Sequence, residues 1–394
     1  MQKQPDRLIN QKRATDIMLN SDIDIIIGTG YVNYGYISGY FTHFGRDYPG
    51  PLYNGLPLVR FAGMPCDKNI PPFLVTYPGE EGDIHVQKTL IEDRRFWGPK
   101  YKAPGRNSKK TVAEDPYQSL REALEERDLS QSNIGLSMSE LNIETLENIR
   151  KCLPDATLVD ASKHFNEIRM IKTSEEIRRI RLAVNGAERG HKAVQNNLKP
   201  GMSQLELSAI VKRAVIDDNT DRYIIHVSSG KYGSFVLAPS EDIISKNTIV
   251  SVDVGSLYRD YCGDMFRVYA LGKAPKQALE IHSQLDEVNA ILLKSLKPGI
   301  LASDLYKLGR SEMENRGLEL ALDFVGHSLG IDVHEPPYLV ANDHTILESN
   351  MIIVLEVATR IENIGHLCAE ITCLITNQGC EVLNTIPYSI THIQ

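Results

Sequence analysis

Apolar runs of strand length alternate with helix-like stretches through about the first 165 residues of the chain. Each run is bounded by glycine, proline or polar residues, which is typical of strands. The candidate strands are residues 24–28, 56–61, 73–77, 134–136 and 157–159. Strands interleaved with helices predict an α/β domain in this part of the chain.

The pattern changes at Thr173, which begins a longer stretch with apolar residues at helical spacing. Thr173 can cap a helix, and Glu176 stands three residues further on, as in a capping box. The helix is predicted to run to about Leu198. We therefore place a domain boundary just before it and predict two domains, residues 1–168 and residues 169–394.

A short segment recurs in the second domain. Leucine-lysine-proline-glycine at 198–201 returns at 296–299, each time between two predicted helices. Such a repeat predicts two similar halves around one sheet. Lysine-proline-glycine is also a common way to end a helix, which is the alternative explanation.

Length and composition narrow the classes of protein that the chain can represent. A chain of 394 residues is too long for one ordinary core, which agrees with two domains. The net charge is −8 and no stripe of lysine and arginine is present, so we expect no nucleic-acid partner. No apolar run approaches the roughly 20 residues of a membrane helix, and no secretory signal is recognisable. With six cysteines and no CxxC pair, we expect a cytoplasmic protein with reduced thiols.

Four acids lie within or directly beside apolar, strand-like runs of the second domain. These acids are Asp253, Asp264, Glu356 and Glu370. A buried, ionised carboxylate is costly unless it is paired with a positive charge or bound to a metal.

The spacing of these acids predicts two hairpins. A turn between Tyr258 and Arg259 would place Asp253 opposite Asp264, and a turn at Asn363 would place Glu356 opposite Glu370. Like charges directly opposite each other on a sheet repel. Two such pairs in one domain therefore predict a shared cation.

Two histidines between glycines and prolines in the segment 326–337 are the candidate imidazoles, His327 and His334. We expect one to be a metal ligand and the other a donor to substrate. Carboxylates with one imidazole favour hard or borderline divalent ions such as Mn, Fe, Co or Zn. Each residue alone is also compatible with an ordinary structural role.

This order of residues resembles the five-ligand pattern of the methionine aminopeptidase, prolidase, aminopeptidase P and creatinase family. The five matching positions are Asp253, Asp264, His327, Glu356 and Glu370. The resemblance covers nearly the whole chain and implies an α+β protein: a pita-bread C-terminal domain behind a smaller, creatinase-type α/β N-terminal domain. It also implies two divalent metal ions held by these five residues, and a homodimer.

The resemblance implies a mechanism. Two metals about 3.5–4 Å apart would hold a bridging water and lower its pKa, and the hydroxide would attack a carbonyl or amidine carbon. One metal and His334 would stabilise the oxyanion. Glu356 would take the water proton and pass it to the leaving nitrogen.

Candidate substrate-binding residues are His334, Arg360 and Arg46. Residues 40–46 are similar to a creatinase loop whose arginine grips a substrate carboxylate, a pairing that a guanidinium makes in bidentate fashion. Trp97 and Tyr48 are further pocket candidates.

Several positions depart from the family's peptidases. Val236 stands where they carry a histidine, and His226 on the neighbouring strand is a candidate replacement, the alternative being a buried histidine bonded to backbone. Cys368 replaces an arginine, and Ala358-Thr359-Arg360 replaces a Gly-Pro turn. Ser328, after His327, is similar to creatinase, which has lost the metal-binding aspartates that this chain keeps.

These features predict a dinuclear metallohydrolase that cleaves a peptide or amide C–N bond, Xaa-Pro-like, in a short peptide or other small molecule. One alternative is a creatinase-like hydrolase or lyase that acts on a small non-peptide carboxylate. Another alternative is a catalytically inactive binding module on the same fold.

Overall fold

The structure is a computed structural model that describes residues 8–42, 59–87, 89–98, 113–216, 220, 222–230 and 238–394. The chain divides into two compact units, Met1–Arg169 and Met170–Gln394. Each unit has a hydrophobic core of its own. Among the helices of the described residues, none is both long enough and apolar enough to cross a membrane.

In the first unit, the residues that the structure describes form a six-stranded mixed sheet with helices. Its strands are β1 (Ile25–Gly28), β2 (Phe61–Pro65), β3 (Phe73–Thr76), β4 (Asp93–Phe96), β5 (Asn133–Leu136) and β6 (Thr157–Asp160), in the order β4-β3-β2-β1-β5-β6. Its helices are α1 (Gln11–Asn20), α2 (Tyr31–Ser38), α3 (Glu81–Gln87), α4 (Pro116–Glu125), α5 (Ile143–Cys152) and α6 (Ser162–Met170), with short 3₁₀ turns at Pro78–Glu80 and Met138–Glu140. The α/β character predicted for this unit is confirmed.

Four of the five candidate strands form where they were predicted, and the run 56–61 differs. Residues 56–58 lie outside the described residues, and the observed strand begins only at Phe61. The Val59 carbonyl oxygen accepts a hydrogen bond from the Trp97 indole at 2.9 Å. The Arg60 guanidinium binds the buried carboxylate of Glu80, with Nη2 at 2.6 Å. Val59 and Arg60 therefore bond to the side chains of Trp97 and Glu80 and lie outside the strand, which begins after them.

The described residues of the second unit form two five-stranded sheets and four helices. Its helices are α7 (Ser174–Asn197), α8 (Gln204–Val215), α9 (Lys276–Ser295) and α10 (Ala302–Glu314). The first sheet is built from β7 (Arg222–Ser229), β8 (Thr248–Tyr258), β9 (Tyr261–Gly263), β10 (Phe266–Leu271) and β16 (Thr391–Ile393), and the second from β11 (Gly326–Ser328), β12 (Glu335–Tyr338), β13 (Ile352–Ile361), β14 (Gly365–Thr376) and β15 (Gly379–Val382).

The single sheet expected from the internal repeat is therefore wrong. The helix pairs α7–α8 and α9–α10 do repeat, and each pair is joined through a Lys-Pro-Gly segment. Strands β10 and β14 lie side by side, but the hydrogen bonds between them involve side chains. Arg267 Nη1 donates to the Glu370 carbonyl oxygen at 3.0 Å, and the Phe266 amide donates to the Glu370 carboxylate. Because side chains occupy these backbone groups, the two ladders stay separate here.

Helix α7 begins as predicted. The Glu176 amide donates to Thr173 Oγ1 at 3.3 Å, and the Thr173 amide donates to Glu176 Oε2 at 2.8 Å, which is a complete capping box. The other Glu176 oxygen accepts a hydrogen bond from the Tyr261 hydroxyl at 3.0 Å. Burial is the main cause that raises the pKa of Glu176 to about 7, although the nearby Lys172 charge opposes it.

The variant Glu176→Gln tests this buried carboxyl, because glutamine can keep the capping box but cannot titrate. The folded-state pKa of about 7 lies above the usual value of 4.5, so the folded protein keeps a proton that the unfolded chain releases. This contribution is complete below pH 4.5 and is lost as the pH rises towards 7. We expect the free energy of unfolding of wild type, minus that of the variant, to fall by up to about 3 kcal/mol across this window.

Glu175→Gln is the matched control, measured by the same urea titrations. Arg178 and Arg179 keep the pKa of Glu175 below its usual range in spite of partial burial. The difference in free energy of unfolding between wild type and Glu175→Gln should therefore stay nearly constant between pH 4.5 and 7. If the difference between wild type and Glu176→Gln is also constant over this pH range, the raised pKa of Glu176 is contradicted.

Candidate metal centre

The β13–β14 hairpin brings two of the predicted acids together. Glu356 pairs directly with Glu370, and the pairing runs symmetrically to Ile361 and Gly365. Asn363 lies in the turn between them with φ 61°, in the left-handed region that asparagine tolerates. The predicted hairpin and its register are confirmed.

The predicted pairing of Asp253 with Asp264 is wrong by two residues. Asp253 pairs with Phe266 of β10, because the turn between β8 and β9 is centred on Arg259 and Asp260. Both turn residues have positive φ, 45° and 71°, which is the two-residue turn that suits strand twist. A shift of two residues keeps side chains on the same face of a sheet, so Asp264 still lies beside Asp253.

The two sheets together bring the acids into one cluster. One oxygen from each of Asp253, Asp264 and Glu370 lies within 4.8 Å of the others. A ligand atom from each of Asp264, His327 and His334 also lies within 4.8 Å of the others. Asp264 belongs to both groups and therefore stands at the centre of the cluster.

His327 enters from β11 and points at the acids. Its Nε2 lies 3.5 Å from Glu356 Oε2 and 3.9 Å from Asp264 Oδ2. Its Nδ1 lies 3.0 Å from the Ser328 carbonyl oxygen. A carbonyl can only accept, so Nδ1 donates. Nε2 then faces the carboxylates: it donates to Glu356 when the ring is protonated, and in the neutral ring it offers a lone pair to a metal. A histidine ligand in a metal site is typically oriented in this way.

The electrostatics of the cluster are those of repelling anions out of water. Burial first, and then the negative charges of Asp264 and Glu356, raise the pKa of Asp253 well above its usual value. The pKa of Asp264 is raised to about 6 by burial and by Glu356, against the opposing effect of His327. Burial and the other three acids also raise the pKa of Glu370. Asp253 Oδ1 is buried and has no hydrogen-bond donor among the described residues.

The two imidazoles differ in charge preference. Burial opposes a charge on His327, but its hydrogen bond and Coulomb attraction to Glu356 prevail and raise its pKa. The His334 ring lies edge-on to it, with 4.2 Å between ring centroids. Desolvation, and then the His327 charge, lower the pKa of His334 to about 4, so His334 is neutral at pH 7.

Arg267 supports the cluster and was missed by the sequence analysis. Its guanidinium is almost fully buried and donates to the carbonyl oxygens of Phe266 at 2.6 Å, Glu370 at 3.0 Å and Ile386 at 2.8 Å. It therefore fixes the backbone behind Glu370 and carries positive charge beside it. A signal was present, because Arg267 interrupts an apolar strand just as the acids do.

His226 and Arg360, predicted as catalytic and substrate-binding residues, lie on the same sheets as the acids. His226 of β7 pairs directly with Asp253 in the β7–β8 register and so lies on the same face of the sheet. Arg360 pairs with His366, four residue pairs along the hairpin from Glu356 and Glu370, and lies on the same face as these two acids. Arg360 is exposed.

Three candidates, Arg46, Tyr48 and Val236, lie outside the described residues. The hypothesis that Trp97 lines a pocket is wrong. Trp97 is only 5% exposed, within the core of the first unit, and its indole nitrogen bonds the Val59 carbonyl oxygen. An indole that packs in a core and satisfies its one donor there has a structural role.

The fold and the cluster together define a two-domain protein with a pita-bread second unit that holds acids and imidazoles at its centre. Residues 178–377 match the model of Metallopeptidase family M24, and residues 11–171 match the model of the Creatinase/Prolidase N-terminal domain. The chain belongs to metallopeptidase family M24. The predicted resemblance and fold class are confirmed, and enzymes of this family use divalent metal ions.

Relatives and solved structures agree with this assignment. YqhT, an uncharacterized peptidase of Bacillus subtilis, is 27% identical over 263 residues, which span 64% of this chain and 73% of YqhT. The Xaa-Pro dipeptidase of Bacillus anthracis is similar in fold, with a TM-score of 0.81 and 19% identity over 97% of this chain and 99% of that chain. The prolidase of Pyrococcus horikoshii has a TM-score of 0.77 and 23% identity over 96% and 99%.

The variant Asp253→Asn tests whether the cluster is held together by cations. Without metal it removes a buried, repelling charge, so we expect it to raise the free energy of unfolding by about 1 kcal/mol. With Mn²⁺ at 100 times its dissociation constant, wild type should gain about 3 kcal/mol, and the variant clearly less. Thermal unfolding in EDTA and in excess Mn²⁺ measures both effects.

The control is Asp304→Asn, which removes an exposed carboxylate that pairs with Lys307 on α10 at 3.0 Å. It should leave both quantities unchanged. An equal Mn²⁺ shift in wild type and Asp253→Asn would argue against Asp253 as a ligand.

Proposed function

We propose that this chain is a dinuclear metallopeptidase that hydrolyses a C–N bond, with an Xaa-Pro-like dipeptide as the leading substrate class. The observation that carries the proposal is the buried cluster of acids and one imidazole, drawn from two sheets. The metal ligands in this proposal are Asp253, Asp264, His327, Glu356 and Glu370. The named activities of the similar dipeptidase and prolidase support the same substrate class.

The donor set suits divalent metals. Four carboxylates and one imidazole nitrogen are the ligands that Mn, Fe, Co or Zn accept. The raised pKa values of Asp253 and Glu370 indicate surplus negative charge that two cations would neutralise. Asp253 Oδ1, buried without a donor among the described residues, is an acceptor that a cation would satisfy.

The protein's own residues have distinct roles in this proposal. Divalent ions, when bound, lower the pKa of a water molecule and polarise a carbonyl group. Glu356 accepts the proton of the attacking water and passes it to the leaving nitrogen. His334 is neutral at pH 7 and can still donate one N–H to the developing oxyanion of the substrate.

His226 is the candidate for a second proton donor. Its direct pairing with Asp253 puts it on the face that carries the acids, although it comes from the neighbouring strand β7. It would act in place of the histidine that the family's peptidases carry at the position of Val236.

Arg360 is the candidate for recognition of a substrate carboxylate. Between it and Glu356 lies only the small pair Ala358 and Cys368 on the same hairpin face. At about 3.4 Å per residue, Arg360 is about 14 Å along the strand from Glu356. A guanidinium on a flexible side chain can reach part of the way back towards the acids.

One observation favours a second candidate function, that of a creatinase-like hydrolase or lyase. Cys368 is buried on the face that carries the acids, at the position where the resemblance leads one to expect an arginine. A thiol cannot bind a carboxylate as a guanidinium does. The site is therefore also compatible with a creatinase-like hydrolase or lyase that takes a small non-peptide carboxylate.

An assay of Mn²⁺-loaded and Co²⁺-loaded protein separates these functions. We expect hydrolysis of Xaa-Pro dipeptides, with liberated proline as the readout, and a decrease in kcat of about 10²–10⁴ in Glu356→Gln because proton transfer is lost. Turnover of small amidino or sulfonio acids in place of dipeptides would favour the second candidate. Glu362→Gln, an exposed glutamate at the tip of the same hairpin, is the control and should retain activity.

The variant Arg360→Ala tests carboxylate recognition. If Arg360 binds the substrate in ground state and transition state alike, KM should rise about tenfold or more while kcat changes little. Arg310→Ala on α10, which removes an exposed guanidinium paired with Glu314, should change neither constant. An unchanged KM in Arg360→Ala would contradict this role.

Two further features remain proposals. We expect a homodimer, which sedimentation of the purified protein tests. We also expect a cytoplasmic location.

A further inference from the structure

Lys172 is a buried cation outside the acid cluster. Its side chain is 0% exposed and lies just before α7. Its Nζ is 3.1 Å from Ser328 Oγ and 3.7 Å from Glu335 Oε2. Burying an ammonium group is costly unless it is paired and hydrogen-bonded, so this arrangement calls for an explanation.

Ser328 and Glu335, which the Lys172 ammonium group contacts, have one property in common. Ser328 directly follows His327, and Glu335 directly follows His334. One ammonium group therefore contacts the residue after each of the two imidazoles, whose ring centroids are 4.2 Å apart.

Glu335 extends this link into the loop itself. Its Oε1 accepts hydrogen bonds from the amides of Ile331 and Asp332, both at 3.1 Å. At Gly330, a Cβ atom would lie 2.6 Å from the Glu335 carboxylate, so the loop packs directly against it. The Cys262 amide also donates to the Gly330 carbonyl oxygen at 2.8 Å. The middle of the loop between the two histidines, residues 330–332, is thus held by Glu335, which is itself paired with Lys172.

We propose that Lys172 is a positioning residue that sets the separation of His327 and His334, acting through Ser328 and Glu335. The inference rests on the proposed function, in which one imidazole binds metal and the other contacts substrate. The Ser328 hydroxyl is needed for this positioning, because a glycine at this position would offer the Lys172 ammonium group no side-chain acceptor. Mutation of residues that support a metal ligand without binding the metal commonly alters metal affinity by about 10–100-fold.

The experiment compares wild type with Lys172→Met, Ser328→Ala and a control. Lys172→Met removes the cation, and Ser328→Ala removes a single oxygen. The control is Thr173→Ala, which removes the helix cap next in sequence and weakens the start of α7 without touching the loop. It separates a general loss of stability from a specific effect on the histidine loop.

Two readouts are taken. In metal-free protein, amide hydrogen exchange of the peptide that covers residues 326–335 should be about tenfold faster in Lys172→Met, and faster to a smaller degree in Ser328→Ala. In a Co²⁺ titration followed by visible absorption, both variants should bind more weakly, by about tenfold or more in Lys172→Met. Thr173→Ala should match wild type in both readouts despite a lower melting temperature.

The inference is overturned if Lys172→Met and Ser328→Ala both show the exchange rates and the Co²⁺ affinity of wild type. It is also overturned if the variants only lower the melting temperature and leave hydrogen exchange in residues 326–335 unchanged. If Lys172→Met fails to fold, Ser328→Ala decides, since it removes only one hydrogen-bonding atom. If wild type itself binds no Co²⁺, the proposed function fails, and the exchange measurement still tests the role of Lys172.

Discussion

Carboxylates that repel one another where water is excluded are the constraint on which the rest of this structure depends. Asp253, Asp264, Glu356 and Glu370 converge inside the second unit, and three of them have raised pKa values as a result. Such a cluster weakens the fold unless positive charge accompanies it. The nearby strand registers, buried cations and backbone hydrogen bonds are best understood as the means that hold the acids together.

The supporting framework is rigid and largely apolar. One aspartate lies in the β8 ladder and the other in the short link to β10, while both glutamates lie in the β13–β14 ladder, where pairing fixes the backbone around them. The short link between Asp264 and Phe266 is held from outside by His191, whose Nε2 is 2.8 Å from the Met265 carbonyl oxygen. Burial lowers the pKa of His191 to about 3, so it holds this link as a neutral ring. Preorganisation of this kind is what a metal site requires.

The metal ligands and the surroundings of the site follow separate rules. All five proposed ligands are present in the sequence, whereas Cys368, Ser328 and Arg360 depart from the family's peptidase pattern. A fold can keep its reaction centre and change what it recognises by altering side chains near that centre. In this chain the guanidinium lies on β13, and its position opposite His366 places positive charge towards the exposed end of the hairpin.

Much of the site could be predicted because its signals are local. The capping box at Thr173 and the Glu356–Glu370 pairing follow from residues close in sequence, and turn position sets the register of a symmetric hairpin. The Asp253–Asp264 register could not be derived in the same way. It depends on positive φ at both Arg259 and Asp260. Aspartate is a common turn residue, but arginine is not, so this pair is a weak signal for a two-residue turn.

The sequence by itself therefore determined which acids lie in or beside apolar strands, how the long helix begins and which family pattern the proposed metal ligands follow. Only the tertiary structure decided that Trp97 lies in a core, that Arg267 backs Glu370, and that Lys172 meets Ser328, 156 residues away. The physical reason is that periodicity reports which face of an element is buried, but not which element covers it. That partner is chosen by the packing of separate sheets and helices, which no local pattern records.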